Sequence, residues 1–332
     1  MFSPPTISVL LPIYNAGDYL APCLDSLLAQ TERNWELVAV DDFSADDSWA
    51  VLQRYAAADD RIRCFRNTNK GLISALRLAY GQSRGAFITR MDDDDLMPPV
   101  KLAVLKKLLL DNGPGHVATG MVRYFSDHEL GEGYRRYETW INRLALEQCH
   151  YSAIYKECPL PSPCWMMYRE DLDDVGAFNS DVYPEDYDLC FRLYQQRKSI
   201  IAAAEVLHLW RDHAGRASRT AAPYADNNFL ELKLNYFLKI DHRPQSPLVV
   251  WGAGKKGKNV ARLLAERKIP FHWICDNPRK WGKSLYGATW RDYRILASLP
   301  HPQVLVLVAA PESQPVIAGY LEEIKGQGYW FC

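Results

Sequence analysis

The chain has 332 residues, 48% hydrophobic and 24% charged, an ordinary globular composition whose length predicts two domains. Lys plus Arg number 39 against 40 Asp plus Glu, a net charge of −1, so whole-chain electrostatics give no case for nucleic acid as a partner. Eight scattered cysteines without a C-x-x-C pair exclude a disulfide scaffold, do not suggest zinc, and predict a reducing compartment.

The N-terminal run "MFSPPTISVLLPIYN" lacks a basic n-region and its apolar part is short, so it is expected to be a first strand rather than a signal peptide. No stretch approaches the roughly 18 apolar residues of a membrane span. The expected location is cytoplasmic, with at most peripheral contact at the inner membrane face.

Strand and helix patterns then alternate. Thr6–Leu11 is an apolar β-rich run, and Asp18–Gln30 carries Leu20, Cys23, Leu24, Leu27 and Leu28 at helical spacing, with Pro22 in the tolerated first turn. Glu36–Val40 is a second strand. "SADD", Ser44–Asp47, reads as a capping-box variant opening a helix to about Ala58. Arg61–Phe65, Ala86–Thr89 and Val117–Tyr124 are further strands, separated by helices over Gly71–Gln82 and Pro98–Leu110. Such alternation predicts an α/β fold with a mostly parallel sheet covered on both faces.

From about 126 to 165 the pattern is expected to become irregular, an aromatic and polar insertion with Pro159, Pro161 and Pro163. Regular structure resumes with a strand at Trp165–Tyr168, a helix from Asp186 to Arg197, a strand at Ser199–Leu207 and an amphipathic helix over Pro223–Lys239. "DHRPQSP", residues 241–247, reads as a linker. The expected organisation is a domain over 1–240, with a nucleotide half to about 125 and an acceptor half to 240, then a small domain over 248–332.

In open α/β sheets ligands bind at the carboxyl ends of strands. One rim should therefore gather Pro12, Tyr14 and Asn15, then Asp41 and Asp42, then Asn69 and Lys70, then the run Asp92-Asp93-Asp94-Asp95. Packed carboxylates are costly without compensation, and hard oxygen ligands suit Mg²⁺ or Mn²⁺. Mg²⁺ takes one or two carboxylates and completes its shell from phosphates and water, so an incomplete acidic site implies a phosphorylated ligand. The alternative is a solvated acidic turn before a helix, where Asp95 would suit the dipole.

"ISVLLPIYN", "ELVAVDDFSADDS", "GAFITRMDDDD" and "YPEDYDLCFRLYQQ" occur in this order. Together they resemble the family 2 glycosyltransferases, inverting enzymes of the GT-A fold that use nucleotide-diphosphate sugars, over roughly residues 5 to 215. The resemblance implies that Pro12 and Tyr14 lie along the nucleotide base, that Asp42 hydrogen-bonds a uracil or guanine edge, with uracil favoured, and that Asn15 and Lys70 lie near base or phosphates. It implies Asp94 as the direct metal ligand and Asp92 as a ribose contact or second metal ligand, with Asp93 pointing away. Glu185-Asp186 matches the family's acidic pair: Asp186 is expected to be the base that deprotonates the acceptor hydroxyl, with Glu185 holding the acceptor or orienting the base. Arg211 and His213, in "HLWRDH", match an Arg-x-His that reaches diphosphate or metal. Trp165 either stacks on a sugar or packs in the core. The expected partners are a nucleotide-diphosphate sugar, UDP favoured, and a glycan or lipid-linked acceptor in surface polysaccharide synthesis.

In the last segment, "LVVWGAGKKGKNVARLL" sets Gly252, Gly254 and Gly257 between a strand and a helix, and "FHWICDNP" ends a second strand with Asp276. This is the dinucleotide-binding fingerprint. It predicts a Rossmann-like module that either binds NAD(P) or another nucleotide or uses its glycines only for the turn. Two competing functions follow: an oxidoreductase or nucleotide-sugar-modifying enzyme centred here, or a non-catalytic nucleotide-sugar binder.

Overall fold

A computed structural model of the protein describes residues 6–216 and 229–332. They divide into two compact units, 6–152 with 158–216, and 153–157 with 229–332.

The first unit is built on a seven-stranded sheet: β1 (Ile7–Ile13), β2 (Trp35–Asp41), β3 (Ile62–Arg66), β4 (Phe87–Arg90), β5 (His116–Phe125), β6 (Trp165–Tyr168) and β7 (Ser199–Arg211), in the order β3-β2-β1-β4-β6-β5-β7. All pairs are parallel except those of β6, which runs against both β4 and β5. β1 and β2 are buried at every residue, which is why they read as continuous apolar runs instead of alternating ones. Around the sheet lie α1 (Leu20–Leu28), α2 (Ser48–Ala58), α3 (Leu72–Gln82), α4 (Lys101–Asn112), α5 (Glu132–Glu147), α6 (Arg169–Asp174) and α7 (Glu185–Gln195). α3 packs on β1 and β2, while α4 and α5 pack on β5 and β7.

Three expectations are corrected. The 126–165 segment is not irregular throughout, because α5 occupies 16 residues of it. Its apolar face is Tyr134, Tyr137, Ile141, Leu144 and Ala145, a helical spacing carried largely by aromatics. The "SADD" capping box does not form: Ser48 N–H bonds to Asp46 Oδ1, and Ser48 Oγ accepts the N–H of Ala16 instead. β1 also runs past Leu11, so Pro12 is a buried strand residue. It is tolerated there because β4 pairs with β1 only through Leu10.

The second unit has a sheet of β8 (Leu248–Trp251), β9 (His272–Cys275), β10 (Ser284–Leu285), β11 (Ala288–Asp292), β12 (Gln303–Val306) and β13 (Gln327–Trp330), in the order β10-β11-β9-β8-β12-β13. Apart from the β10–β11 hairpin it is parallel, and the strand order reverses beside β8. With it are α8 (Leu230–Ile240), α9 (Lys255–Glu266) and α10 (Gln314–Glu323). Of the helix expected over Pro223–Lys239, the part before residue 229 lies outside the described residues. The rest, α8, groups with this unit and not with the first. Phe237 on α8 joins Tyr155, Tyr329 and Phe331 in an aromatic cluster, where Tyr155 and Phe331 stack with their planes 2° apart. Lys233 Nζ donates to the carbonyl of Lys156 at 2.7 Å. Residues 153–157 are thus core material of the second unit despite their place in the chain.

Candidate active site

The carboxyl ends of β1, β2 and β4 do assemble one rim, but each polar group has its own partner there. At the end of β1, Tyr14 is 51% exposed and Asn15 adopts φ 51°, a left-handed conformation that Asn tolerates. Asn15 Oδ1 accepts Ala45 N–H at 2.8 Å and Asn15 N–H reaches Ser44 Oγ at 3.0 Å. Asn15 therefore splices the β1 turn to the β2 turn, and its amide oxygen is committed to that work.

Asp42 is buried and accepts from Asn67 Nδ2 at 2.7 Å and from Gly71 N–H at 2.8 and 2.9 Å. It anchors the 67–71 loop, which presents Lys70 to Tyr14 with Nζ 4.9 Å from the ring centre and 3.5 Å from the hydroxyl. A carboxylate offers about four lone-pair positions, so these bonds leave capacity for one more donor. Asp41 is fully buried and takes Arg66 on one oxygen at 3.3 Å.

The four consecutive aspartates separate because the chain turns after β4. Asp92 Oδ1 receives Arg90 Nε at 3.1 Å and Nη2 at 3.0 Å. Asp93 does not point away as expected: its Oδ2 accepts Tyr14 N–H at 2.9 Å, fixing the acidic loop to the end of β1. Asp94 Oδ2 lies 2.8 Å from His213 Nε2. Asp95 is buried, with His208 Nε2 and Arg211 N–H each at 2.8 Å from its two oxygens. Burial first, and then Asp95 and Asp92, push Asp94 up to about 6 despite His213. Burial and neighbouring charge raise Asp93 and Asp95 as well.

Arg90 is the cation that sequence inspection overlooks. It is buried, and Nη1 also donates to Glu185 Oε1 at 2.6 Å, so one guanidinium joins the acidic loop to the N-terminus of α7. A charged last residue in a buried strand, two positions before four carboxylates, was the available signal. Asp186, next to Glu185, is pushed up to about 7 by burial and by the Glu185 charge, with Arg90 opposing. Its Oδ1 accepts Tyr187 N–H at 2.8 Å. A carboxylate with this affinity for protons can take one from a hydroxyl near neutral pH.

Among the described residues no group of three or more His, Cys, Asp and Glu is arranged to hold a metal ion. The donors fit a cation in part. Asp94 Oδ2 and His213 Nε2, 2.8 Å apart, are spaced like neighbouring ligands of an ion that binds at 2.0–2.1 Å. Asp92, engaged by Arg90, is not in that pair. Arg211 Nε holds the carbonyl of Asp94 at 2.8 Å, with its guanidinium over Tyr19 and Phe125. Trp165 is a core residue, 2% exposed. Phe43, not singled out from sequence, is 49% exposed beside Asp42 with φ 61°, a strained conformation for an aromatic residue.

The profile of glycosyl transferase family 2 matches residues 8–176, just over half of the chain, and spans this rim. The chain belongs to glycosyl transferase family 2. It is 28% identical over 221 residues to "Glycosyltransferase GlyA" of Streptococcus pneumoniae, covering 64% of this chain and 31% of that protein. It is 26% identical over 273 residues to "Uncharacterized glycosyltransferase EpsJ" of Bacillus subtilis, covering 80% and 76%. An uncharacterized Sinorhizobium fredii protein, y4gI, is 32% identical over 67% of this chain, which spans 24% of it. The chain thus spans less than a third of GlyA and of y4gI. Among solved structures, S. aureus TarS 1-349 in complex with UDP-GlcNAc superposes with TM-score 0.54 at 16% identity, covering 78% of this chain and 70% of that one. The mannosyltransferase PcManGT from Pyrobaculum calidifontis, in complex with GDP-Man and Mn²⁺, gives 0.50 at 22% identity, covering 62% and 56%. The fold is the GT-A type of these glycosyltransferases.

In the family 2 chain's second unit, the glycine turn is largely used by the unit itself. Gly252 has φ 142°, and a Cβ on Gly257 would sit 2.2 Å from the Gly252 carbonyl oxygen, so both glycines are needed for the strand–helix packing. Gly252 O accepts Trp273 Nε1 at 2.8 Å and Ala253 O accepts Lys280 Nζ at 2.8 Å. Asp276 Oδ1 accepts Trp251 Nε1 at 3.0 Å. Gly254 alone has open space where a Cβ would be. No helix among the described residues is long and apolar enough to cross a membrane.

Proposed function

We propose that the first unit transfers a sugar, with inversion, from a nucleotide-diphosphate sugar to a hydroxyl of a glycan or lipid-linked acceptor in surface polysaccharide synthesis. The observation that carries this is the Asp92–Arg90–Glu185 bridge. It sets Asp186, a carboxylate poised near pH 7, beside the loop that bears Asp94. Asp186 takes the proton of the acceptor hydroxyl, and the acceptor oxygen forms its bond to the anomeric carbon from the face opposite the diphosphate. The bond from that carbon to the diphosphate oxygen breaks, and the diphosphate leaves with the electron pair.

Tyr14 offers its exposed ring to the base, with Lys70 alongside. Asp42 has one acceptor position left, which suits the ring N–H of a uracil or a guanine. Asp94 and His213 would hold Mn²⁺ or Mg²⁺, and the ion would supply positive charge to the departing diphosphate. Arg90 keeps Glu185 in place and limits the rise in Asp186. The family membership and the donor complexes of TarS and PcManGT support a nucleotide-sugar donor.

For the second unit we propose a structural turn instead of NAD(P) chemistry. The support is that Gly252 and Gly257 are needed for the unit's own strand–helix packing and that one Asp276 oxygen already serves Trp251, while among the described residues no acid or base for hydride transfer stands at the turn. The organisation proposed is a transferase unit followed by this module, with α8 belonging to the latter. Product analysis with a panel of donors tests the reading. A β-linked product from an α-linked donor, lost in Asp186→Asn while donor binding persists, is expected. Donor binding without any turnover in the wild type would leave a non-catalytic binder, and NADH fluorescence enhancement would shift attention to the second unit.

A further inference from the structure

The acidic loop is tied to the interior by three polar side chains that solvent does not reach: Lys101, His208 and Asp95 are 0%, 0% and 2% exposed. Lys101, in the first turn of α4, donates from Nζ to the carbonyl of Pro163 at 2.6 Å and lies 3.2 Å from His208 Nδ1. His208, on β7, has Nε2 2.8 Å from Asp95 Oδ2. A lysine Nζ brings protons to such a contact, so Nδ1 is the acceptor and the ring proton sits on Nε2, where it is donated to Asp95. The second Asp95 oxygen takes Arg211 N–H at 2.8 Å.

Around this chain the loop and the end of β7 are closed on each other. Leu96 and Leu209 exchange two backbone hydrogen bonds, at 3.1 and 3.0 Å. Arg211 Nε holds Asp94 O, and His213 meets Asp94 Oδ2. Burying a lysine, a histidine and an aspartate costs more than filling the same space with apolar side chains. Stability of the core does not call for them. What they do fix is the placement of two separate segments, 92–96 and 209–213, which carry Asp94 and His213.

We propose that Lys101, His208 and Asp95 form a positioning relay that presets Asp94 against His213, so that the cation and diphosphate site stands before the donor arrives. The inference rests on the transferase reading above and adds the residues that set its cation site. None of the three touches a ligand; Lys101 acts on His208, His208 on Asp95, and Asp95 on the loop and the Arg211 backbone.

The test joins a proton position to a binding constant. In ¹⁵N correlation spectra of the metal-free protein, His208, identified by its loss in His208→Gln, should carry its proton on Nε2 with Nδ1 bare. Mn²⁺ binding is then measured by electron paramagnetic resonance of the free ion. Gln at 208 can both accept from Lys101 and donate to Asp95, so His208→Gln should bind Mn²⁺ within about threefold of the wild type. His208→Leu and Lys101→Met should weaken it about 10- to 100-fold, the range for residues that orient metal ligands, while remaining folded by circular dichroism. A proton on Nδ1, or a folded His208→Leu that binds Mn²⁺ as the wild type does, overturns the relay. If His208→Leu does not fold, His208→Gln decides, and a tenfold loss there overturns it. Asp94→Asn separates the two claims. Mn²⁺ binding that survives this change contradicts the cation reading itself. Binding lost there but intact in His208→Leu contradicts the relay alone.

Discussion

The two sheets of this chain each end a strand in a motif that promises nucleotide chemistry, and they treat their polar groups in opposite ways. At the β1–β2–β4 rim, Asp94 and Asp186 keep raised proton affinities near 6 and 7, and Tyr14 and Lys70 stay exposed. At the β8 turn, the carbonyls of Gly252 and Ala253 accept from Trp273 and Lys280, one oxygen of Asp276 accepts from Trp251, and no buried carboxylate stands among them. A ligand site holds groups in an unfavourable state that binding relieves. A structural turn settles those groups internally. Both motifs promise a nucleotide in the sequence, and the difference is that the rim alone keeps buried carboxylates, at raised proton affinity.

The largest expected effect that would break this comparison is on catalysis. Asp186→Asn, the change at the proposed base, should lower kcat by about 10²- to 10⁴-fold with donor affinity unchanged. A variant retaining wild-type kcat would place the chemistry elsewhere. Next is Gly257→Ala, whose new methyl carbon meets a backbone carbonyl at 2.2 Å and cannot be relieved by a rotamer change. It should destabilise the second unit by about 1–3 kcal/mol, read from denaturant unfolding. Gly254→Ala, with open space at its Cβ, should stay within about 0.5 kcal/mol of the wild type. Equal losses at both positions would contradict the packing account of the turn.

The pH dependence sharpens the rim side. As the proposed base, Asp186 acts only when ionised, so kcat/KM should fall about tenfold per pH unit as pH drops below about 7. An acid limb near pH 4 would mean that Asp186 is not the base. Stability carries the opposite sign. Asp94 and Asp186 have folded-state proton affinities raised above the unfolded value of 3.8. Their contribution is present below about pH 4 and is lost as pH rises through 6 to 7. The metal-free protein should therefore lose part of its melting temperature between pH 5 and pH 8, and Mn²⁺ should restore it. The smallest effect is at Phe43. Phe43→Gly relieves about 1–2 kcal/mol of left-handed strain and gives back about 0.5–1 kcal/mol in backbone entropy, so it should stabilise by up to about 1 kcal/mol in thermal melts. No gain would mean that its exposed ring is held by contacts that offset the strain.

Much of the first unit was legible because its strands are buried on both faces and its helices keep one apolar stripe. β1, β2, β4 and their helices follow from period and punctuation alone. α5 was not legible by the same rule, since Tyr134 and Tyr137 on its inner face read as polar-aromatic insertion. The candidate site was legible as a set of strand ends and illegible as a set of bonds. Four adjacent aspartates look like one charge cluster, yet the turn after β4 sends Asp92 to Arg90, Asp93 to Tyr14, Asp94 to His213 and Asp95 to His208. Those partners come from residues up to 119 positions away, which spacing cannot report. Tyr155 makes the same point for the domains: no local pattern reveals that five residues inside the first half complete the aromatic core of the second unit.

The most direct test of the central claim is thermal stability with a panel of nucleotide-diphosphate sugars, with and without Mn²⁺, for the wild type and Asp94→Ala. A donor at about 100 times its Kd should stabilise the wild type by about 2.7 kcal/mol. The account predicts such a shift for one donor, dependent on Mn²⁺ and absent in Asp94→Ala. A shift that ignores both Mn²⁺ and Asp94, or no shift with any donor alongside a clear one with NADPH, would contradict it.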